Sequence, residues 1–275
     1  MIRRPVVSGK FYADNEEELK SQIRNCFFHP VGPGSLPHGW EKNQGTIGLI
    51  VPHAGYMASG PVAAWSYWKA GALVKPSTIL IVGPNHTGLG TKLSLWLEGA
   101  WQTPLGSVEI DHDFGRSLMA ESNGMIMPDT SAHLYEHSIE VQLPFLQFLY
   151  SDFKIVPLIM TDQRVEVALS LSEIIKKELM GRNDVLVIAS SDLNHYEAHE
   201  VTMEKDNQLL SLILDGKYRE SYELSQEKRI TACGLGPIVA VRNSFESMEV
   251  LCSTTSGEVM GDRYRTVGYV AALLS

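Results

Sequence analysis

The sequence predicts an α/β fold: a central mixed, largely parallel sheet flanked by helices, as one domain over residues 1–275. Three observations carry that expectation. Short β-branched runs alternate with longer stretches of helical spacing. Each run is apolar at successive positions, as strands covered on both faces are. The one Pro/Gly-rich stretch, "HPVGPGSLPHGWEKNQG" (29–45), lies too near the N-terminus to separate two domains.

The elements follow in order. "ADNEEELKSQIRNCF" predicts a first helix, with Asp14 as its cap and Glu17 three residues on, a capping box ahead of an amphipathic run. The 29–45 stretch then reads as a loop leading into the first central strand, "TIGLIV" (46–51). "TILIV" (78–82), "FKIVPLIM" (153–160) and "DVLVIAS" (184–190) read as further buried strands. "LSLWLEGAWQTPLGSVEI" predicts a hairpin-like pair around Pro104 and Gly106. "SIEVQLPFLQFLY" and "RVEVALSLSEIIKKEL" have helical spacing, and Pro144 marks a kink or a late first turn in the former. "MEVLCSTTS" and "YRTVGYVAALL" predict two closing strands joined by the turn-rich "GEVMGD".

Composition narrows the function classes. Hydrophobic residues make up 44% and charged residues 20% of the chain, the balance of a packed globular protein. A formal charge of -9 argues against nucleic acid, whose binding needs a basic face. No apolar run approaches the roughly 18 residues of a membrane span, so no membrane partner is expected. "MIRRPVVSGKFYADNEEE" has no apolar core after its arginines, unlike a signal peptide. Cys26, Cys233 and Cys252 have no paired spacing, and an odd count is a poor disulfide framework. The expected setting is cytoplasmic and reducing.

In open α/β sheets, ligands bind outside the carboxyl ends of the strands. Three predicted strand ends carry a histidine there: His53 in "PHAGY", with Tyr56; His86 in "GPNHTG"; and His195 in "SDLNHY", with Asp192 and Asn194. The fourth offers only Thr161 and Asp162. Each histidine alone reads equally well as a turn residue bonded to backbone. Three together predict one crevice able to bind a divalent metal. "HLYEHSIEVQ" adds His133 and His137, and Glu136 and Glu140, each pair one helical turn apart. The same stretch also reads as a helix start capped by Ser138, with His137 lining a site. Cys26 and Cys252 read as packing residues. Cys233, between Thr231 and Gly234 and ahead of the predicted helix "GPIVAV", is placed for its thiolate to be favoured by the helix dipole. It reads either as a metal ligand or as a nucleophile paired with a histidine.

At these residues the chain resembles the Memo family, also called AmmeMemoRadiSam system protein B. The resemblance rests on "RRPVVSGKFY", "VPHAGY", "VGPNH", "WQTPLG", "EHSIEVQLPFL", "SSDLNHY", "TACGLGPI" and, near the end, "VGYVAA". It implies a fold similar to that of class III extradiol (LigB-type) non-haem iron dioxygenases, which hold iron through two histidines and a glutamate. Carried onto matching positions, it implies His53, His86 and Cys233 as metal ligands and His195 as the acid/base, with His137 lining the pocket. The metal would be a divalent transition metal: iron, copper or zinc. Cysteine in place of the carboxylate departs from the dioxygenase pattern, because a soft thiolate favours copper or zinc. The family's second name implies a functional link to an AMMECR1-domain protein and a radical-SAM protein.

Three functions follow as expectations. The first is a metal-dependent, redox or dioxygenase-like enzyme for a small, unidentified molecule, with His195 moving a proton and Asp192 or Asn194 orienting it. The second is a metal-free hydrolase built on Cys233 and His195. The third is a non-catalytic module binding a peptide or protein, which the Memo resemblance also implies.

Overall fold

The computed structural model describes residues 1–39 and 45–275. Most of the expected 29–45 loop is among them, and its residues 40–44 lie outside the described residues. Four parallel strands form the middle of the main sheet, in the order Ile47–Val51, Val185–Ser190, Thr78–Pro84 and Lys154–Met160. Thr266–Leu274 runs antiparallel beside the first of these and pairs on its other side with Met248–Thr255. Leu93–Leu95 and Met127–Pro128 extend the opposite edge. A separate small sheet joins Ile2–Arg3 to the expected hairpin, Ala100–Thr103 with Gly106–Glu109. The sheet is therefore mixed and largely parallel, with helices on both faces.

Period-two alternation explains why the strand runs are apolar throughout. Ile79, Ile81, Leu186 and Ile188 pack on one face, with the helices Glu16–Phe28, Tyr56–Leu73 and Leu143–Leu149. Leu80, Val82, Val187 and Ala189 pack on the other, with Val165–Leu179 and Leu235–Arg242. Each strand thus needs hydrophobic side chains in both directions.

Several local expectations change. The first helix is capped by Asn15, whose side chain accepts from Glu18 N, while Asp14 precedes it. Pro144 marks a late start: a 3-10 turn, Glu140–Gln142, leads into the Leu143–Leu149 helix with the proline in its first turn. "GEVMGD" contributes to a short helix, Ser256–Met260, closed by Gly261 at φ 86°. The long Tyr56–Leu73 helix had no counterpart in the sequence reading. It contains Gly60 and Pro61, which resemble turn signals, and it is buried on nearly every side, so it lacks an amphipathic period. Among the described residues no helix is long and apolar enough to cross a membrane.

The carboxyl ends of Ile47–Val51, Thr78–Pro84 and Val185–Ser190 lie together, since these strands are mutually parallel. The loops that leave them therefore converge.

Candidate metal centre

His53 follows its strand by two residues and is 2% exposed. Its backbone N–H donates to Asp192 Oδ1 at 2.8 Å, and its Nδ1 lies 2.9 Å from Ser190 Oγ. The Ser190 hydroxyl already donates to the Ser138 carbonyl, and its oxygen accepts from Gln142 Nε2. Its remaining capacity toward His53 is as an acceptor, so Nδ1 carries the proton and Nε2 presents a lone pair. Burial, with His137 and His86 nearby, holds this imidazole well below its usual pKa.

His86 is held through a carboxylate. Glu136 is 1% exposed and accepts from His86 N at 2.5 Å and from His86 Nδ1 at 2.9 Å. It also accepts from the backbone N–H groups of His137 and Ser138, both at 2.9 Å. Burial alone would raise the carboxyl, but these donors outweigh it and hold Glu136 down to about 2. Burial likewise opposes charge on His86, and Glu136 outweighs it, raising the imidazole above its ordinary value. With Nδ1 bonded to the carboxylate, Nε2 of His86 is free to bind a metal, the arrangement found behind many metal-bound histidines.

His137 completes the group. Its ring stacks on His86 with centroids 4.7 Å apart and meets Phe11 edge-on at 4.9 Å. One nitrogen from each of His53, His86 and His137 lies within 4.8 Å of the others, so the three could hold one ion.

Cys233 stands beside this trio. Its Sγ is 3.2 Å from His53 Nε2 and accepts from Asp192 N at 3.3 Å. It precedes Gly234, the cap of the Leu235–Arg242 helix, as the sequence suggests. A Cβ on Gly234 would lie 2.7 Å from Ser191 Cβ, so glycine permits this close approach. The expected dipole-favoured thiolate is not what the surroundings produce. Burial and then the Asp192 carboxyl push the thiol well above its ordinary pKa, outweighing the helix end. Asp192 itself is buried and pushed up to about 7.

His195 sits farther out. Its Nδ1 is 2.9 Å from the Thr231 carbonyl, which can only accept, so Nδ1 carries the proton and Nε2 is the basic nitrogen. Burial lowers its pKa. Among the described residues its ring hydrogen-bonds neither Asp192 nor Asn194. Asn194 acts one step removed, its Oδ1 accepting from Thr231 N at 3.2 Å. Cys233 lies against His53 rather than His195, so the structure pairs the thiol with a different imidazole from the one expected for a hydrolase.

His53, His86, His137, Asp192, His195 and Phe11 line one pocket of about 300 Å³. His133 and Glu140 are elsewhere, because "HLYEHSIE" forms a 3-10 turn at Ser131–His133 and then a bend instead of one helix face. His133 is enclosed by Trp96 and Trp101, and Glu140 binds Arg3. Ser138 caps no helix and donates to the Pro84 carbonyl at 3.2 Å. Tyr56 is in the core, its hydroxyl donating to the Val141 carbonyl. Sequence reasoning did not single out Ser190, Gln142 or Phe11. "SSD" and "VQL" around the first two gave no chemical signal beyond ordinary polar residues.

Residues 3–273 match the Memo-like protein family. The chain belongs to that family. A Memo-named relative from Thermotoga neapolitana, a "MEMO1 family protein", is 45% identical over 278 residues, spanning 100% of both chains. Another from Sulfurisphaera tokodaii is 46% identical and covers 98% of each chain. An uncharacterized protein from Escherichia coli K12, of known crystal structure, superposes with a TM-score of 0.54 at 12% identity. It covers 83% of this chain and 99% of its own. At that identity the likeness is one of fold.

Proposed function

We propose that this Memo-like protein is a metal-dependent enzyme of oxidoreductase type acting on a small molecule. One observation carries the reading: one nitrogen from each of three imidazoles lies within 4.8 Å of the others. Glu136 and Ser190 fix two of them by their other nitrogen. His53, His86 and His137 would hold an iron, copper or zinc ion, with the Cys233 thiol beside His53 as a further donor. Bound there, the metal would supply Lewis-acid or redox chemistry to a substrate in the pocket.

The chain's own residues do the rest. Glu136 and Ser190 keep the tautomers that leave His86 and His53 ready to bind. Phe11 packs edge-on against the His137 ring and helps hold it in place. His195, its Nδ1 proton tied to the Thr231 carbonyl, takes or returns a proton at Nε2. Its lowered pKa makes it a base at neutral pH.

Elemental analysis of untagged protein tests the reading. About one transition-metal ion per chain is expected in the wild type. Strong loss is expected in His53→Ala, His86→Ala and His137→Ala, and Cys233→Ser reports whether the thiol is a ligand. Stoichiometric metal retained through all three histidine substitutions would remove the site from consideration.

A further inference from the structure

The mouth of the pocket is built in a costly way. The short strand His195–Glu197 pairs antiparallel with the last strand in the register His195 to Val267 and Glu197 to Thr266. Tyr196 is left over between these pairs as a bulge, a device that re-aims a side chain beside many functional sites. Its φ is 65°, in the left-handed region that bulky side chains avoid. Among the described residues only Asn123 and Arg229 share a positive φ without being glycine. Strain of this kind persists where the surroundings impose it, and it gathers at ligand sites.

The strained backbone turns the Tyr196 ring outward, 63% exposed, onto the lining of the pocket. The ring meets His195 edge-on at 5.5 Å. Arg265 lies over the same ring, its guanidinium carbon 4.7 Å from the centroid. Two residues away, Arg263 is neutralised by Glu200 and Glu258. Arg265 has no such carboxylate among the described residues, and its guanidinium stacks on the tyrosine ring. The pocket lining itself contains no lysine or arginine.

We propose that Tyr196 and Arg265 are the recognition element of this pocket for a small planar carboxylate. The apolar part of the ligand packs among Phe11, Tyr196 and Val267, and its carboxylate reaches the guanidinium that stacks on the Tyr196 ring. A planar fork of N–H donors matches a carboxylate through two parallel hydrogen bonds. One guanidinium against a pocket-lining ring, in a chain of net charge -9, suits a monoanion better than a polyanion. A pocket of about 300 Å³ restricts the ligand to a small molecule. The inference names the substrate class for the metal-dependent reading above and rests on it for the reaction, whereas the binding step stands on Tyr196 and Arg265 alone.

Ligand-observed NMR titration with benzoate and its neutral isostere benzamide tests it, on protein as purified and after chelation. Wild type should bind benzoate about tenfold more tightly than benzamide, the size of one charge-assisted contact. Arg265→Met should bring that ratio close to one while leaving metal content unchanged. Tyr196→Gly, which the left-handed backbone tolerates, should weaken both ligands. Equal binding of the two probes, no binding of either, or a preference that survives Arg265→Met overturns the proposal. A preference abolished by chelation yet retained in Arg265→Met assigns the anion to the metal and also overturns it. A wild type without metal that still shows an Arg265-dependent preference sets aside the metal reading and keeps the recognition element.

Discussion

The segment "HLYEHSIE" holds two histidines and two glutamates, and the structure divides them between opposite fates. Glu140 is wholly buried, and its oxygens accept from Arg3 Nη1, the backbone N–H groups of Val6 and Val7, and the Tyr12 hydroxyl. His133 bonds the Ser94 carbonyl through Nε2 and is shut between two tryptophans. Glu140 thus ties the N-terminal strand to the body of the protein, and the His133 imidazole is part of the core, its backbone carbonyl accepting from Arg3 Nε. Glu136 is buried as deeply, but it grips His86 and the backbone of His137, whose rings face the pocket. A site is thus marked less by titratable residues than by ring atoms left facing a cavity after every carboxylate has been satisfied.

Three substitutions probe that division, from the largest effect to the smallest. Glu140→Ala leaves the Arg3 guanidinium buried without its carboxylate, at a cost of about 3–5 kcal/mol by chemical denaturation. Metal bound per folded chain should not change, and a parallel loss of metal affinity at a folded temperature would erase the distinction. Glu136→Gln keeps the shape but weakens the hold on His86, so metal affinity should fall roughly 10- to 100-fold in competition with a chromophoric chelator. An unchanged affinity would make Glu136 a structural residue like Glu140.

The third concerns pH. Burial, ahead of the opposing Ser94 carbonyl contact, holds His133 at about 3 against 6.5 when unfolded. Between those values the unfolded chain binds a proton that the folded chain refuses, so stability falls as pH drops from about 6.5 toward 3. His133→Gln should flatten the pH dependence of the urea midpoint in that window. A slope identical to that of the wild type would show that His133 does not supply it.

Much of the scaffold was legible because it depends on short-range pattern. Continuous apolar runs identify strands covered on both faces, and His53 and His86 lie only two residues past such strands, so their placement near one sheet end follows from local spacing. The Asn15 cap was misplaced by one residue because Asp14 and Asn15 are both able caps, and the path of the entering chain chooses between them. The Tyr56–Leu73 helix was hidden because burial on every side removes the very period that reveals a helix.

The finer chemistry was decided by contacts between distant segments. His137 joins His53 and His86 only because a bend, rather than a helix, follows His133. The tautomer of His53 depends on Ser190, which ends a distant strand, and on Ser138 and Gln142 from the segment after His137. Cys233 reads in one dimension as a thiol activated by a helix end, yet its depth and the neighbouring Asp192 push its pKa up instead. Residue types and their distance from a strand end are properties of the chain, so fold class and the candidate histidines could be read directly. Protonation, tautomer and the choice of a third imidazole are set by desolvation and by partners 40 or more residues away, and only packing brings those into range.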